Sequence, residues 1–312
     1  MEPTASDVRA EDGSRVRLWT CTPETGSDEA VLFVHGATFG ARAAFELPGI
    51  DGWLTATALN GRTATAVDIR GYGDSERPDT LDADPGPEPP VRARTAALDA
   101  LAAYESLQKD HDRVHLVGYS WGSIICGTLV TEHPVEPASL TQFAPVYAPA
   151  PEFADDFGLG TPPEPARAAT RGELRGRWDD QLPTESPARW RGGSEDDDPV
   201  FDAFWRTLFD SGQGDVRDGE RVVVAPNGTL VDLSAAAEGV EPYPAGEIRV
   251  PTLVVRGSLD PTSTRSDALA LYDALGSETT AYAELSGGTH FLAHESRKGA
   301  LYDTVRAFQS RA

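Results

Sequence analysis

Six short apolar runs, each followed by a turn signal, set the limits on what this chain can fold into. Residues 30–36 (AVLFVHG), 63–73 (TATAVDIRGYG), 112–120 (DRVHLVGYS), 139–145 (SLTQFAP), 250–258 (VPTLVVRGS) and 279–288 (TTAYAELSGG) read as buried strands. Helical patterns at 91–108, 121–132, 265–275 and 298–310 lie among them. Strands that alternate with helices require βαβ crossovers, hence an α/β fold with a mostly parallel sheet covered on both faces. Residues 15–22 (RVRLWTCT) alternate instead and predict antiparallel pairing at the sheet edge.

The middle of the chain breaks this rhythm. Between 144 and 250 it is rich in Pro, Gly and acidic residues, with no βαβ unit, yet it holds Trp178, Trp190, Phe201, Phe204, Trp205 and Phe209. The pattern predicts core residues 1–145 and 249–312 separated by an insertion, 146–248, mainly helical or irregular. The acidic run Glu195–Asp198 is expected on a solvated surface. At 312 residues the chain is long enough to bury a large core.

A net charge of −23 argues against nucleic acid as a partner and against docking on an anionic membrane. No apolar run approaches the ~20 residues of a membrane span. The N-terminal MEPTASDVRAEDGS has neither a basic nor an apolar segment, so a cytoplasmic protein is expected, and the sequon at Asn227 reads as a chance match. Cys21 and Cys126 are too few for a disulfide framework and have no neighbours of metal-binding type.

Ser120 sits in GYSWG, between the apolar run 114–117 and a helical pattern that starts at 121. Strand, sharp turn, serine and helix together form a nucleophile elbow. The turn lifts the hydroxyl above the sheet, and side chains at Gly118 or Gly122 would collide with the neighbouring strand or helix. A serine hydroxyl needs a base. Of six histidines, His290 is favoured, because it follows the last strand on a Gly-rich loop (LSGGTHFLAH); His294 is expected on the following helix. Asp260, after the preceding strand (LVVRGSLDPTS), is placed to orient the imidazole. The order Ser, Asp, His completes the set. The backbone N–H groups of Ala37, after His35-Gly36, and of Trp121 are candidate oxyanion donors.

These stations, VHGAT (34–38), DIRGYGDS (68–75), GYSWG (118–122), RGSLDP (256–261) and GGTHF (287–291), resemble the serine-nucleophile branch of the α/β-hydrolase fold superfamily. The resemblance implies an eight-stranded sheet and a cap inserted after the sixth strand. It also implies structural rather than catalytic roles for Asp68, Arg70 and Asp74. Relatives with an aspartate nucleophile are disfavoured by Ser120, and HGAT departs from the HGGG of many lipases.

The expected activity is hydrolysis of an ester, thioester, lactone or amide through an acyl-enzyme. A small-molecule acyl substrate is the expected partner; no cofactor and no metal are expected. Acyl transfer or cyclisation by the same triad, and ligand reception without turnover, are the alternatives. Trp178, Trp190 and Trp205 are expected to line an apolar pocket for a bulky group.

Overall fold

In the computed structural model the apolar runs become strands, and their turn signals become the loops that carry the site. The structure describes residues 1–156, 163–184, 186–194 and 197–312. The strands are β1 (Thr4–Arg9), β2 (Arg15–Cys21), β3 (Glu29–Val34), β4 (Thr63–Val67), β5 (Arg113–Tyr119), β6 (Ser139–Phe143), β7 (Ala166–Thr170), β8 (Gly214–Arg217), β9 (Glu220–Pro226), β10 (Thr252–Gly257) and β11 (Thr280–Leu285). The helices are α1 (Ala41–Phe45), α2 (Trp53–Leu59), α3 (Ala93–Gln108), α4 (Trp121–Glu132), α5 (Arg171–Asp179), α6 (Pro187–Trp190), α7 (Pro199–Phe209), α8 (Gly228–Ala237), α9 (Arg265–Ala274) and α10 (Lys298–Gln309).

Eight strands form one sheet in the order β1-β2-β4-β3-β5-β6-β10-β11. From β4 to β11 every pairing is parallel, and β2 runs antiparallel to both β1 and β4. The expected α/β fold, with its mostly parallel eight-stranded sheet, is the fold observed. The outermost strand at that end is β1 rather than β2. Its sequence, TASDVR, is exposed along nearly its whole length, so it carries no apolar signal.

Alternation along the strands divides the core in two. Ala30, Leu32 and Val34 of β3 face a cluster with α3, α4 and α9, whereas Val31 and Phe33 face α2 and α10. The first helices after β3 and β4 leave the sheet on opposite sides, so β3 and β5 flank the point where strand order reverses. Ligands of open α/β sheets bind beyond the carboxyl ends of the strands at such a point.

The segment between β6 and β10 contains α5–α8 and a three-stranded antiparallel sheet, β7-β9-β8, that was not foreseen. A third apolar cluster joins this segment to the core. Phe201, Phe204, Trp205 and Leu208 of α7 fall at helical spacing, and the cluster they share with Trp178 takes in Phe39 and Phe291 from the core loops. Of the acidic run, residues 195 and 196 lie outside the described residues. Asp197 is exposed, but Asp198 is buried: it accepts the Phe201 N–H at the start of α7 and pairs with Arg191. An N-cap and a buried ion pair overrode the expectation of a solvated face there. Among the described residues, no helix is long and apolar enough to cross a membrane.

Candidate active site

The turn after β5 holds Ser120 at φ 55°, ψ −120°, a left-handed backbone that serine adopts only when its surroundings enforce it. Two close approaches enforce it. A Cβ at Gly118 would lie 2.5 Å from the Gly122 carbonyl oxygen, and a Cβ at Gly122 would lie 2.2 Å from that of Val34. The expected collisions with helix and strand are therefore both present. The Ser120 N–H donates to the Phe143 carbonyl at the end of β6 (2.9 Å), which ties the turn to the sheet.

β10 and β11 are adjacent and parallel, with Gly257 opposite Leu285, so the loops after them meet. There Asp260 Oδ2 lies 2.8 Å from His290 Nδ1, and His290 Nε2 lies 3.0 Å from Ser120 Oγ. All three residues are buried. Asp260 Oδ1 accepts the N–H groups of Thr262 and Ser263 (2.8 and 2.9 Å), which fixes the carboxylate with Oδ2 turned to the imidazole. A carboxylate can only accept, so Nδ1 carries the proton and Nε2 presents its lone pair to the Ser120 hydroxyl. His290 is further held by its N–H to Gln181 Oε1 (3.0 Å) and by Tyr119, whose hydroxyl donates to the His290 carbonyl (2.9 Å).

Ala37 lines the same cavity as Ser120 and His290. Trp121 opens α4, so its backbone N–H has no partner within the helix, and the helix dipole points its positive end at the same spot. The Trp121 side chain is buried, and its indole N–H donates to Asp232 Oδ2 of α8 (3.0 Å).

Among the described residues, no histidine other than His290 is bonded to Ser120. His294 lies in a 3-10 turn, Leu292–His294, ahead of α10 rather than on it, and stacks on Trp178 with ring centroids 5.3 Å apart. His115 bonds Ser139 within the sheet. His35 is fully buried; its Nδ1 bonds the Gly36 carbonyl (2.8 Å) and its Nε2 accepts the Ile69 N–H (3.1 Å), so the neutral ring joins the loops after β3 and β4.

Burial holds the His35 imidazole down to about 4, against the Gly36 carbonyl, which favours the charged form. As pH falls, the unfolded chain takes up this proton near 6.5 while the folded protein resists until about 4. The stabilisation is therefore complete above the unfolded value and is lost towards the folded one. We expect wild type to lose about 2 kcal/mol through this group between pH 7 and 5. Urea unfolding of His35→Gln should show a flatter profile over that interval, despite a lower stability at pH 7. Parallel profiles would overturn the assignment.

In the DIRGYGDS turn the side chains bond within the fold. Asp68 accepts the Ala41 N–H, the Trp19 indole N–H and the Asp74 N–H, and burial pushes its carboxyl up to about 6. Arg70 pairs with Asp99 and Asp12.

The three tryptophans do not line the Ser120 cavity. Trp178 is buried between Phe291, Phe204 and Phe201; Trp205 is buried beside Phe209; Trp190 lies against Gly287 in the loop that leads to His290. Aromatics at helical spacing must bury a face, and here that face packs the segment between β6 and β10 against Phe39 and Phe291.

The cavity above Ser120 has a volume of about 480 Å³. Its apolar wall comes from Phe39, Phe153, Leu230, Leu233 and Phe291, and its polar wall includes Arg167, Arg177, Asp180 and Gln181. Sequence reasoning missed Gln181, Arg167 and Gln213. Gln213 is buried, accepts the N–H groups of Gly40 and Gly73, and donates to the carbonyls of Thr38 and Val224, each at 3.0 Å. It fastens the loop after β3 to β9. Single polar residues outside any motif leave no signal in one sequence. Among the described residues, no group of three His, Cys, Asp or Glu side chains is placed to hold a metal ion.

A left-handed serine between a parallel strand and a helix, with histidine and aspartate delivered from the last two strand ends, defines a class of α/β enzymes rather than one activity. The chain matches the alpha/beta hydrolase family over residues 31–304, so it belongs to that family and to the hydrolase class of enzymes. No curated protein matches it in sequence. Its fold is similar to that of an E-2-(acetamidomethylene)succinate hydrolase (TM-score 0.67, 19% identity, 98% of each chain). It is also similar to an esterase from Exiguobacterium antarcticum (0.66, 15%, 98% of this chain and 100% of that one). An epoxide hydrolase from Vigna radiata shares it as well (0.65, 18%, 100% and 99%). At these identities the likeness is one of fold.

Proposed function

We propose that the protein is a serine hydrolase that cleaves an ester, thioester, lactone or amide through an acyl-enzyme on Ser120. The observation that carries this reading is the unbroken hydrogen-bond chain from Asp260 through His290 to Ser120 Oγ. Ser120 Oγ attacks the substrate carbonyl as its proton passes to His290 Nε2. The N–H groups of Ala37 and Trp121 receive the oxyanion, and losing one such donor typically costs about 3–4 kcal/mol of barrier. His290 then gives its proton to the leaving group, and the acyl group stays on Ser120. Water, deprotonated by His290, attacks that ester, releases the acid and restores the hydroxyl.

Residues 146–248 act in this reading as a cap over Ser120. They supply Phe153, Leu230 and Leu233, which with Phe39 and Phe291 suit a bulky, largely apolar acyl or alcohol group. A neutral fluorophosphonate should label wild type at Ser120 and leave Ser120→Ala unlabelled, as read by mass spectrometry. Labelling at another residue, or none, would overturn the reading.

A further inference from the structure

The geometry points to a substrate that carries a carboxylate, bound by Arg167 at the wall of the Ser120 cavity. The inference rests on the serine-hydrolase reading for the bond that reacts, and on Arg167 alone for the charge.

The chain has 50 acidic residues against 27 Lys and Arg, so counter-charges abound. Its fully buried arginines use them: Arg70 pairs with Asp99, Arg191 with Asp198 and Arg256 with Glu284. Arg167, half-buried on β7, does not. Its Nη1 donates to the Pro226 carbonyl (2.6 Å), Asn227 Oδ1 (3.3 Å) and Thr229 Oγ1 (3.3 Å), and its Nη2 to Thr38 Oγ1 (2.7 Å). Every acceptor is neutral, and among the described residues no carboxylate pairs with it.

A guanidinium has five N–H groups. The bonds above engage Nη1 and Nη2, the Tyr72 hydroxyl lies beside the same group, and the planar guanidinium keeps donor capacity for a carboxylate. Four oxygens thus hold the cation at the wall of the cavity that Ser120 also lines. Thr38, one of the four, follows Ala37, so the charge stands next to the loop expected to receive the oxyanion. Arg177 adds a second guanidinium to the wall; Asp180, the acid that lines it, is exposed. Burial and the neighbouring Arg177 both press against the charge of Arg167, and a bound anion would relieve them. Even a half-buried cation held by neutral groups alone carries a desolvation cost, which fits a site completed by its ligand. The apolar wall and the guanidinium together describe an acyl or alcohol group with an aliphatic stem and a terminal carboxylate.

The test uses the full chain with Ser120→Ala, titrated calorimetrically with monomethyl glutarate and with dimethyl glutarate. The anionic monoester should bind at least about tenfold more tightly, as expected for a charge-assisted pair. Adding Arg167→Gln should bring it to the affinity of the diester. Arg167→Lys keeps the charge without the planar guanidinium, so it should retain only part of the preference, and it decides the matter should the glutamine variant fail to fold. Equal affinities, no binding of either ester, or a preference untouched by the Arg167 substitutions would overturn the inference and leave Arg167 as a strap between β7 and the loop after β3. The fluorophosphonate labelling of wild type separates the two readings. Labelling of Ser120 without anion preference overturns the carboxylate site alone. Anion preference without labelling overturns the hydrolase alone.

Discussion

Ser120→Ala should lower kcat by a factor on the order of 10⁴ to 10⁶ while leaving thermal unfolding nearly unchanged. Among the described residues the hydroxyl is bonded to His290 alone, so its removal costs chemistry rather than packing. His290→Ala should be as damaging, and the double variant no worse than either, because base and nucleophile act as one unit. Asp260→Asn should lose about 10⁴, since a carboxamide can present its N–H to Nδ1 and turn the imidazole proton towards Ser120. His294→Ala should leave kcat within a few-fold, because the ring stacks on Trp178 away from the hydroxyl. Initial rates on an activated ester, with each variant purified free of background esterase, measure all five. Near-wild-type turnover by Ser120→Ala, or a double variant far slower than both singles, would overturn the triad.

Why these three positions were legible in sequence, and others were not, has a physical cause. The elbow leaves a trace because the change from strand to helix across Ser120 is a change of hydrophobic period, and because Gly118 and Gly122 are sterically required. Asp260 and His290 leave a trace because each follows a strand-like run, and in the sheet those two strands lie side by side. The segment between β6 and β10 has no such constraint. Val222, Val223 and Val224 of β9 pair with Thr170, Ala169 and Ala168 of β7, a run whose composition shows no strand preference. Trp178, Phe201, Phe204 and Trp205 declared a buried face, and nothing in their spacing says whether substrate or protein covers it. Arg167 is one cation among many until β7 brings it to the cavity.

Gly122→Ala should be severely damaging, because the atoms in its way are backbone. The added Cβ would stand 2.2 Å from the Val34 carbonyl oxygen and 2.7 Å from that of His35, and neither can rotate aside. α4 must then move off β3, and it cannot do so alone: Trp121, Ile124, Ile125, Cys126 and Leu129 are all buried along it. Overpacking a core costs about 1–3 kcal/mol where side chains can yield, and more is expected where two main chains must part. We expect a loss of at least about 3 kcal/mol in urea unfolding, with kcat lost in parallel as the N-terminus of α4 carries Ser120 and the Trp121 N–H away from His290. Gly299→Ala in α10 is the control. No atom lies within 4 Å of its added methyl, so the same substitution should stabilise the helix by about 0.5–1 kcal/mol. A Gly122→Ala protein that melts within a few degrees of wild type would show that the elbow is not held by this contact. The left-handed backbone of Ser120 would then need another cause.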